Sequence, residues 1–281
     1  MKKKFKSGLA GLVISLLIIL PSVSNGQSEK AVIKKYLSEL PSVPVSSKLQ
    51  KYRMTAVYIN RDLYGNFTGK IKVVGDYTRG LENDFVSWSN VYISNSDKYS
   101  APFPEGIKQE YMENIKYVPS SEMLDEQAFK DFPASPENVF NRNLIWDMMA
   151  IEGFAWKHTD SLELNKIYRI PLLKGEFNMA DVGTYTHAEV QLCWTGISAI
   201  DDELCAVIEY NSIDNKIEIS MESIETKGTE QYWGTVWVSL ETRLIGRAVM
   251  YSGTIQEVEE TGMDSKFLVK TIRELWVDKI Q

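Results

Sequence analysis

The sequence predicts an α+β, β-rich fold: a long antiparallel meander, curled or bent into a half-barrel, with a few covering helices. Three observations predict it. Between Thr186 and Thr195 the chain alternates cleanly, with Ala188, Val190, Leu192 and Trp194 on one face and His187, Glu189, Gln191 and Thr195 on the other. Strand-length segments then follow one another to the C-terminus, separated only by short polar turns. Parallel neighbours would each need a crossover helix, and there is no room for one.

Residues 1–26 read as a cleavable secretory signal peptide. Lys2, Lys3, Lys4 and Lys6 form a basic start, and Leu9 to Leu20 is an apolar run. Pro21 ends that run, and Ser24-Asn25-Gly26 sets small residues before a cut at Gln27. A membrane span needs about 20 apolar residues, more than this run offers. The expected product, residues 27–281, is one exported β-rich domain, periplasmic or extracellular, with sub-blocks 27–100 and 101–281. The full chain carries 31 basic against 38 acidic residues. Four of the lysines lie in the leader, leaving 27 against 38, a net charge of −11. That charge repels polyanions and argues against nucleic acid as a partner. Nothing after the leader is long and apolar enough to span a membrane as a helix.

Ser28 to Leu40 has the spacing of an amphipathic helix, capped by Ser28 and closed by Pro41 and Pro44. Strands follow over Tyr52–Ile59, Phe67–Tyr77 and Phe85–Ile93, with turns at Gly65-Asn66 and Arg79-Gly80. Residues 95–107 read as a loop. Helix formers fill Ser120–Phe132, and Ser135-Pro136-Glu137 opens a second helix running towards Trp156. The remaining strands are Leu162–Leu173, Thr186–Thr195, Leu204–Asn211, Ile217–Ile224, Tyr232–Leu240, Arg247–Val258 and Lys266–Val277. Their turns fall at Asp201-Asp202, Asp214-Asn215, Lys227-Gly228, Glu241-Thr242 and Thr261-Gly262. A sheet this long must cover its apolar face or close on itself. It can curl around the helices or split into two stacked sheets, and the helices between strand blocks favour the first. Whether the 51–94 and 186–277 blocks extend one sheet is left open by the sequence.

The chemistry-bearing residues are sparse. No GxSxG, HExxH, P-loop or GxGxxG occurs after the leader, so no enzyme class, metal or cofactor is indicated. The two histidines are His158, beside Asp160, and His187, two residues from Glu189 on what reads as a solvated strand face. Asp147 and Glu152 lie five apart on a helix and point to different sides, unlike a paired-carboxylate hydrolase site. Asn66-Phe67-Thr68 is a glycosylation sequon if the route is eukaryotic. Cys193 and Cys205 flank one predicted hairpin. Pairing Trp194 with Leu204 would set Cys193 opposite Cys205 across a loop centred on Ala199 and allow a disulfide. A tight turn at Asp201-Asp202 instead sets Cys193 opposite Asn211, too far from Cys205 for one. The tight turn has the better turn chemistry, so two thiols are expected.

The apolar face of the meander, through Leu192, Trp194, Ile208 and Tyr210, is the candidate wall of a ligand cavity. Trp233 and Trp237, four apart on one strand with Thr235 between them, form a candidate aromatic platform. The stretch Trp237-Val238-Ser239-Leu240-Glu241-Thr242-Arg243-Leu244 resembles the strand–turn of the LolA/LolB-like periplasmic lipoprotein carriers, in which an acid-Thr-Gly-Leu turn joins two strands. Arg243 stands here in place of that Gly. The resemblance extends to the helix after the leader and the long meander with intervening helices. It implies a curled sheet enclosing an apolar cavity for acyl chains, without catalysis, and it assigns no functional residue. The expectation is a non-enzymatic exported protein holding an apolar or lipid-like ligand. The alternative is an envelope or extracellular interaction domain with a solid core, recognising protein or glycan.

Overall fold

The alternation read from the sequence builds, among the described residues, thirteen strands in one antiparallel sheet that does not close into a barrel. The computed structural model describes residues 24–133, 135, 137–170, 173–180, 183–221, 224–260, 262 and 266–280. The leader predicted over residues 1–26 lies outside them apart from 24–26. Those three open helix α1 (Ser24–Tyr36), which starts earlier and stops sooner than its apolar spacing predicts. Strands β1 (Gln50–Asp62), β2 (Phe67–Arg79) and β3 (Val86–Ser96) form successive hairpins. The short β4 (Ile107–Lys108) and β5 (Lys116–Tyr117) both pair with β3. After helix α2 (Asn138–Trp156) come β6 (Ile167–Ile170), β7 (Gly175–Asn178), β8 (Gly183–His187) and β9 (Glu189–Ile200). The long strands β10 (Glu203–Met221), β11 (Ile224–Ser239), β12 (Ile245–Glu260) and β13 (Phe267–Ile280) complete the meander. Pairing of β13 with β1, from Lys51 opposite Ile280 to Asp62 opposite Val269, joins the two strand blocks in one sheet.

Helix α2 fixes the curvature. Glu152 accepts a hydrogen bond from Tyr77 of β2, while Phe154, two residues on, packs its ring 4.6 Å from Tyr210 of β10. Five strand spacings separate β2 from β10 in the sheet order, or about 24 Å if the sheet were flat. A helix with its side chains is only about 10–12 Å across. The sheet therefore curls around α2, and the stacked-sheet alternative is not the one adopted. Leu144, Ile145, Met148, Ile151 and Phe154 supply the helix face buried against it. Tyr210 reaches its place because Gly234 has no side chain: a Cβ there would lie 2.5 Å from the Tyr210 hydroxyl, which donates to the Val249 carbonyl at 2.9 Å.

Several turns fall elsewhere than their residue types predict. Asp214-Asn215 does not reverse the chain. It is a bulge inside β10, with Asp214 at φ 66°, and the predicted strands Leu204–Asn211 and Ile217–Ile224 are parts of one run. Asn215 makes the bulge tolerable. Its buried side chain accepts from Ser212 Oγ at 2.7 Å and the Ala188 amide at 3.0 Å, and donates to the Glu230 carbonyl at 3.3 Å. The groups that the bulge removes from the ladder are thus replaced. Lys227-Gly228 does not reverse the chain but lies within β11, opposite Glu218 and Ile217 of β10, and the pairing continues to Met221 opposite Ile224. Ser120–Phe132 forms two 3₁₀ turns, Ser121–Leu124 and Glu126–Phe129, instead of an α-helix. The strand expected over Leu162–Leu173 shrinks to β6.

The Asp201-Asp202 turn is tight, both residues having positive φ, with Ile200 opposite Glu203. A register shift between Val207 and Ile208 then sets Cys193 opposite Glu209, not Asn211. Cys205 faces Ser198, and both cysteines are free thiols. At the β11–β12 turn Arg243 takes φ 62°, the left-handed conformation that glycine would adopt without strain. Its buried side chain explains the exchange. Nη2 donates to Thr159 Oγ1 at 2.6 Å, and Nη1 reaches the carbonyls of Pro41 and Val43 at 3.3 and 3.4 Å. One side chain thereby ties this turn to the segment beyond α2 and to the N-terminal connection.

Candidate functional site

The inward positions of β11, β12 and β13 are apolar at one level of the sheet and polar at the next. Val236, Ala248 and Leu275 are buried in the core, whereas Glu230, Ser252, Thr254, Gln256 and Thr271 continue the same faces into a cavity. Where the residues turn polar, the core ends and a cavity of about 1140 Å³ begins. Its opposite walls are mainly apolar. Val139, Phe140, Trp146 and Met149 come from α2, Phe177 and Met179 from the β7 region, and Ile217 and Ile219 from β10. That is a mostly apolar concavity with a limited set of placed polar groups, the usual composition of a small-molecule site.

Two buried ion pairs stand in its wall. Arg273 Nη1 donates to Asp147 Oδ2 at 3.0 Å, where the cavity meets the core. Arg79 lies 3.3 Å from Glu152, with its guanidinium 4.1 Å from the centroid of a Trp156 ring. Burial outweighs the attraction of each arginine. It pushes the Asp147 carboxyl up to about 6 and the Glu152 carboxyl up to about 7. Tyr185 donates to Glu230 at 2.7 Å, and His187 sits among the rings of Phe177, Tyr185 and Tyr232. Burial lowers the His187 pKa, which favours the neutral ring.

The raised Glu152 pKa has a signed consequence. Between pH 4.5 and 7 the folded chain keeps a proton on Glu152 that the unfolded chain has released, so this group's contribution to stability falls as pH rises through that window. Glu152→Gln abolishes the titration. The stability difference between wild type and variant should change by about 3 kcal/mol between pH 4 and pH 8, read from denaturant unfolding at both. A difference independent of pH would show that Glu152 is not held protonated.

The structure separates the candidate residues read from the sequence. Leu192, Trp194, Ile208 and Tyr210 lie on one apolar face but are buried to 1 % exposure or less, as filled core. None of the four is a wall residue of the cavity. Trp233 and Trp237 are on the outer face of the sheet, Trp233 stacked on Tyr251 with centroids 6.0 Å apart. His187 is not on a solvated face. It points into the cavity, while Glu189 pairs with Arg169 outside. Asp147 and Glu152 both reach the cavity wall, although five residues apart on α2. Glu230, Arg273, Arg79 and Tyr185 have no motif to announce them; the available signal is the polar turn of the inward positions on three adjacent strands. Among the described residues, no group of three His, Cys, Asp or Glu side chains could hold a metal ion, and no helix is long and apolar enough to cross a membrane.

No family model matches the chain, and no curated protein does. Among solved structures, one of lipovitellin, concerned with lipid–protein interactions, is similar with a TM-score of 0.44 at 11% identity. The match covers 84% of this chain and 25% of that one, so the chain spans a quarter of the length of the lipovitellin chain. A DUF1329 family protein from Desulfovibrio piger is similar with a TM-score of 0.14 at 10% identity, over 91% of this chain and 92% of that one. Both likenesses are too distant to bring a function with them, and the reading of the site rests on its own geometry.

Proposed function

We propose that this protein is a non-enzymatic exported carrier that holds an apolar, lipid-like ligand between α2 and the curled sheet. The observation that supports it is the 1140 Å³ cavity with predominantly apolar walls, somewhat above the roughly 300–1,000 Å³ of sites that enclose small organic ligands. In this reading the chain works as the LolA/LolB-like carriers it resembles do, by enclosing the ligand without chemistry. Four of its charged wall groups form internal pairs: Arg273 with Asp147, and Arg79 with Glu152. No nucleophile with an activating base stands among them. The competing reading, an interaction domain, draws on the half-exposed Trp233 stacked on Tyr251.

The test is titration with N-phenylnaphthylamine, a neutral apolar fluorophore, against wild type and Thr254→Trp, which fills the cavity from β12. Wild type should bind saturably, and the variant should bind at least tenfold more weakly with its thermal midpoint within a few degrees. Ile219→Trp, which fills the cavity from β10, provides the same readout from another wall. Absence of saturable binding by wild type, with Trp233→Ala impairing capture of a protein or glycan, would replace the carrier reading with the interaction domain.

A further inference from the structure

The two arginines of the cavity wall stand in different surroundings. Gln50, at the start of β1, faces Arg79, and Tyr58, in its second half, faces Arg273, so the two mark separate parts of the wall. Arg273 is held among acids: Nη1 donates to Asp147 at 3.0 Å, and the guanidinium also acts on Glu230. Arg79 has its guanidinium 4.1 Å from the centroid of a Trp156 ring and forms an ion pair with Glu152 at 3.3 Å. Among the described residues neither its Nε nor its Nη1 makes a hydrogen bond. Buried donors are almost always hydrogen-bonded, so a guanidinium with two unspent N–H groups in a cavity wall calls for a partner.

Lys157, immediately after α2, adds a second positive charge at the Arg79 end. Its side chain is exposed, and among the described residues it forms no salt bridge. Two acids share this end. Burial holds the Glu152 carboxyl up at about 7 against the pull of Arg79, Tyr77 and Lys157, so below that pH it is mostly a neutral O–H. Asp84 lies on an exposed turn, where water screens its charge. Beyond them the wall is apolar. Gly153, Ala150 and Trp146, spaced three and four apart, form one stripe of α2. A Cβ on Gly153 would meet, outside its own helix backbone, only Lys157 Cδ at 4.0 Å. The missing side chain leaves an open path from the basic end onto that stripe.

We infer that the ligand is an amphiphile with a carboxylate head, seated between Arg79 and Lys157, and that its alkyl chain lies along the Gly153–Trp146 stripe of α2. This inference rests on the carrier reading and deepens it. The carboxylate accepts from the guanidinium that Trp156 holds in place, and Lys157 covers the head from the solvent side. The opposite orientation is disfavoured. At the Arg273 end the head would meet Glu230 and a guanidinium already engaged by Asp147.

Three ligands with the same chain decide the matter: decanoate, decanol and decyltrimethylammonium, each displacing N-phenylnaphthylamine below its micellar concentration at about pH 6, where a free carboxylate is ionised. Decanoate should displace the probe at a lower concentration than decanol, and at least tenfold lower than the cation. Arg79→Gln should weaken decanoate at least tenfold and Lys157→Gln about threefold, both leaving decanol unchanged. Decanol or the cation displacing the probe at an equal or lower concentration overturns the inference and leaves the carrier intact. So does a preference for decanoate that neither substitution reduces. Displacement by none of the three removes both readings. If Arg79→Gln melts below the assay temperature, Lys157→Gln, at an exposed position, decides alone: weaker decanoate with unchanged decanol supports the head site, and no change overturns it.

Discussion

Trp194→Ala should lower the unfolding free energy by about 3–5 kcal/mol and leave probe binding by the folded protein unchanged. Trp194 is 1 % exposed, faces Ile208 on β10, and donates from Nε1 to the Gly196 carbonyl at 2.8 Å. Its ring belongs to the filled part of the sheet and not to the cavity wall. Truncation therefore removes buried apolar surface and opens a void in close-packed surroundings, which relax only in part. A loss of that size is a large share of the roughly 5–15 kcal/mol that holds a domain together. Denaturant unfolding with an unchanged slope and a lowered midpoint is the expected form. A loss under about 1 kcal/mol would mean that the ring already borders empty space, placing the cavity where the alternation of β9 first suggests it.

That alternation made the architecture legible. Strict apolar–polar period and short polar turns indicate antiparallel neighbours wherever one face is buried, and β1, β2, β3, β12 and β13 lie close to where their side chains predict. Turn chemistry was less dependable. Asp214-Asn215 has the residues of a hairpin turn, yet in β10 the same Asn side chain satisfies a bulge, because the strand is long enough to pair on both sides of it. Local propensity cannot tell these apart, since the deciding partners, Ala188 and Glu230, are supplied by other strands.

The site was harder to read for a related reason. Apolar inward residues mark a filled core and a cavity wall alike, so Leu192, Trp194, Ile208 and Tyr210 were reasonable candidates for either. What distinguishes them is how α2 meets the sheet: its Phe154 packs on Tyr210, whereas its Phe140, Trp146 and Asp147 line the cavity together with Glu230. The sequence does contain a trace of this boundary. Tyr232 to Glu230, Met250 to Ser252 and Leu275 to Arg273 are all steps of two along inward faces, and each passes from a bulky or apolar side chain to a polar or charged one. Registered strands bring those steps close together across the sheet. No single strand displays the boundary, because one polar inward residue can equally be an isolated core group with a partner.

At that boundary Arg273→Met should destabilise the protein by about 3–5 kcal/mol at pH 8, because it leaves the Asp147 carboxylate buried without its cation. Both side chains are close to nine-tenths buried, and the Arg273 guanidinium also lies 5.8 Å from the centroid of the Tyr58 ring. The loss should shrink towards pH 5. Asp147 already titrates at about 6 with the arginine present, and removing the attraction raises it further, so protonation at lower pH relieves the buried charge. Adding Asp147→Leu to Arg273→Met should restore stability to within about 1 kcal/mol of wild type, since apolar replacement of both partners removes the desolvation penalty together with the attraction. Unfolding of the two single variants, the double variant and wild type forms a double-mutant cycle whose coupling isolates the pair. A single-variant loss below about 1 kcal/mol at pH 8, with no dependence on pH, would show that water reaches Asp147 freely and that the pair does not separate core from cavity.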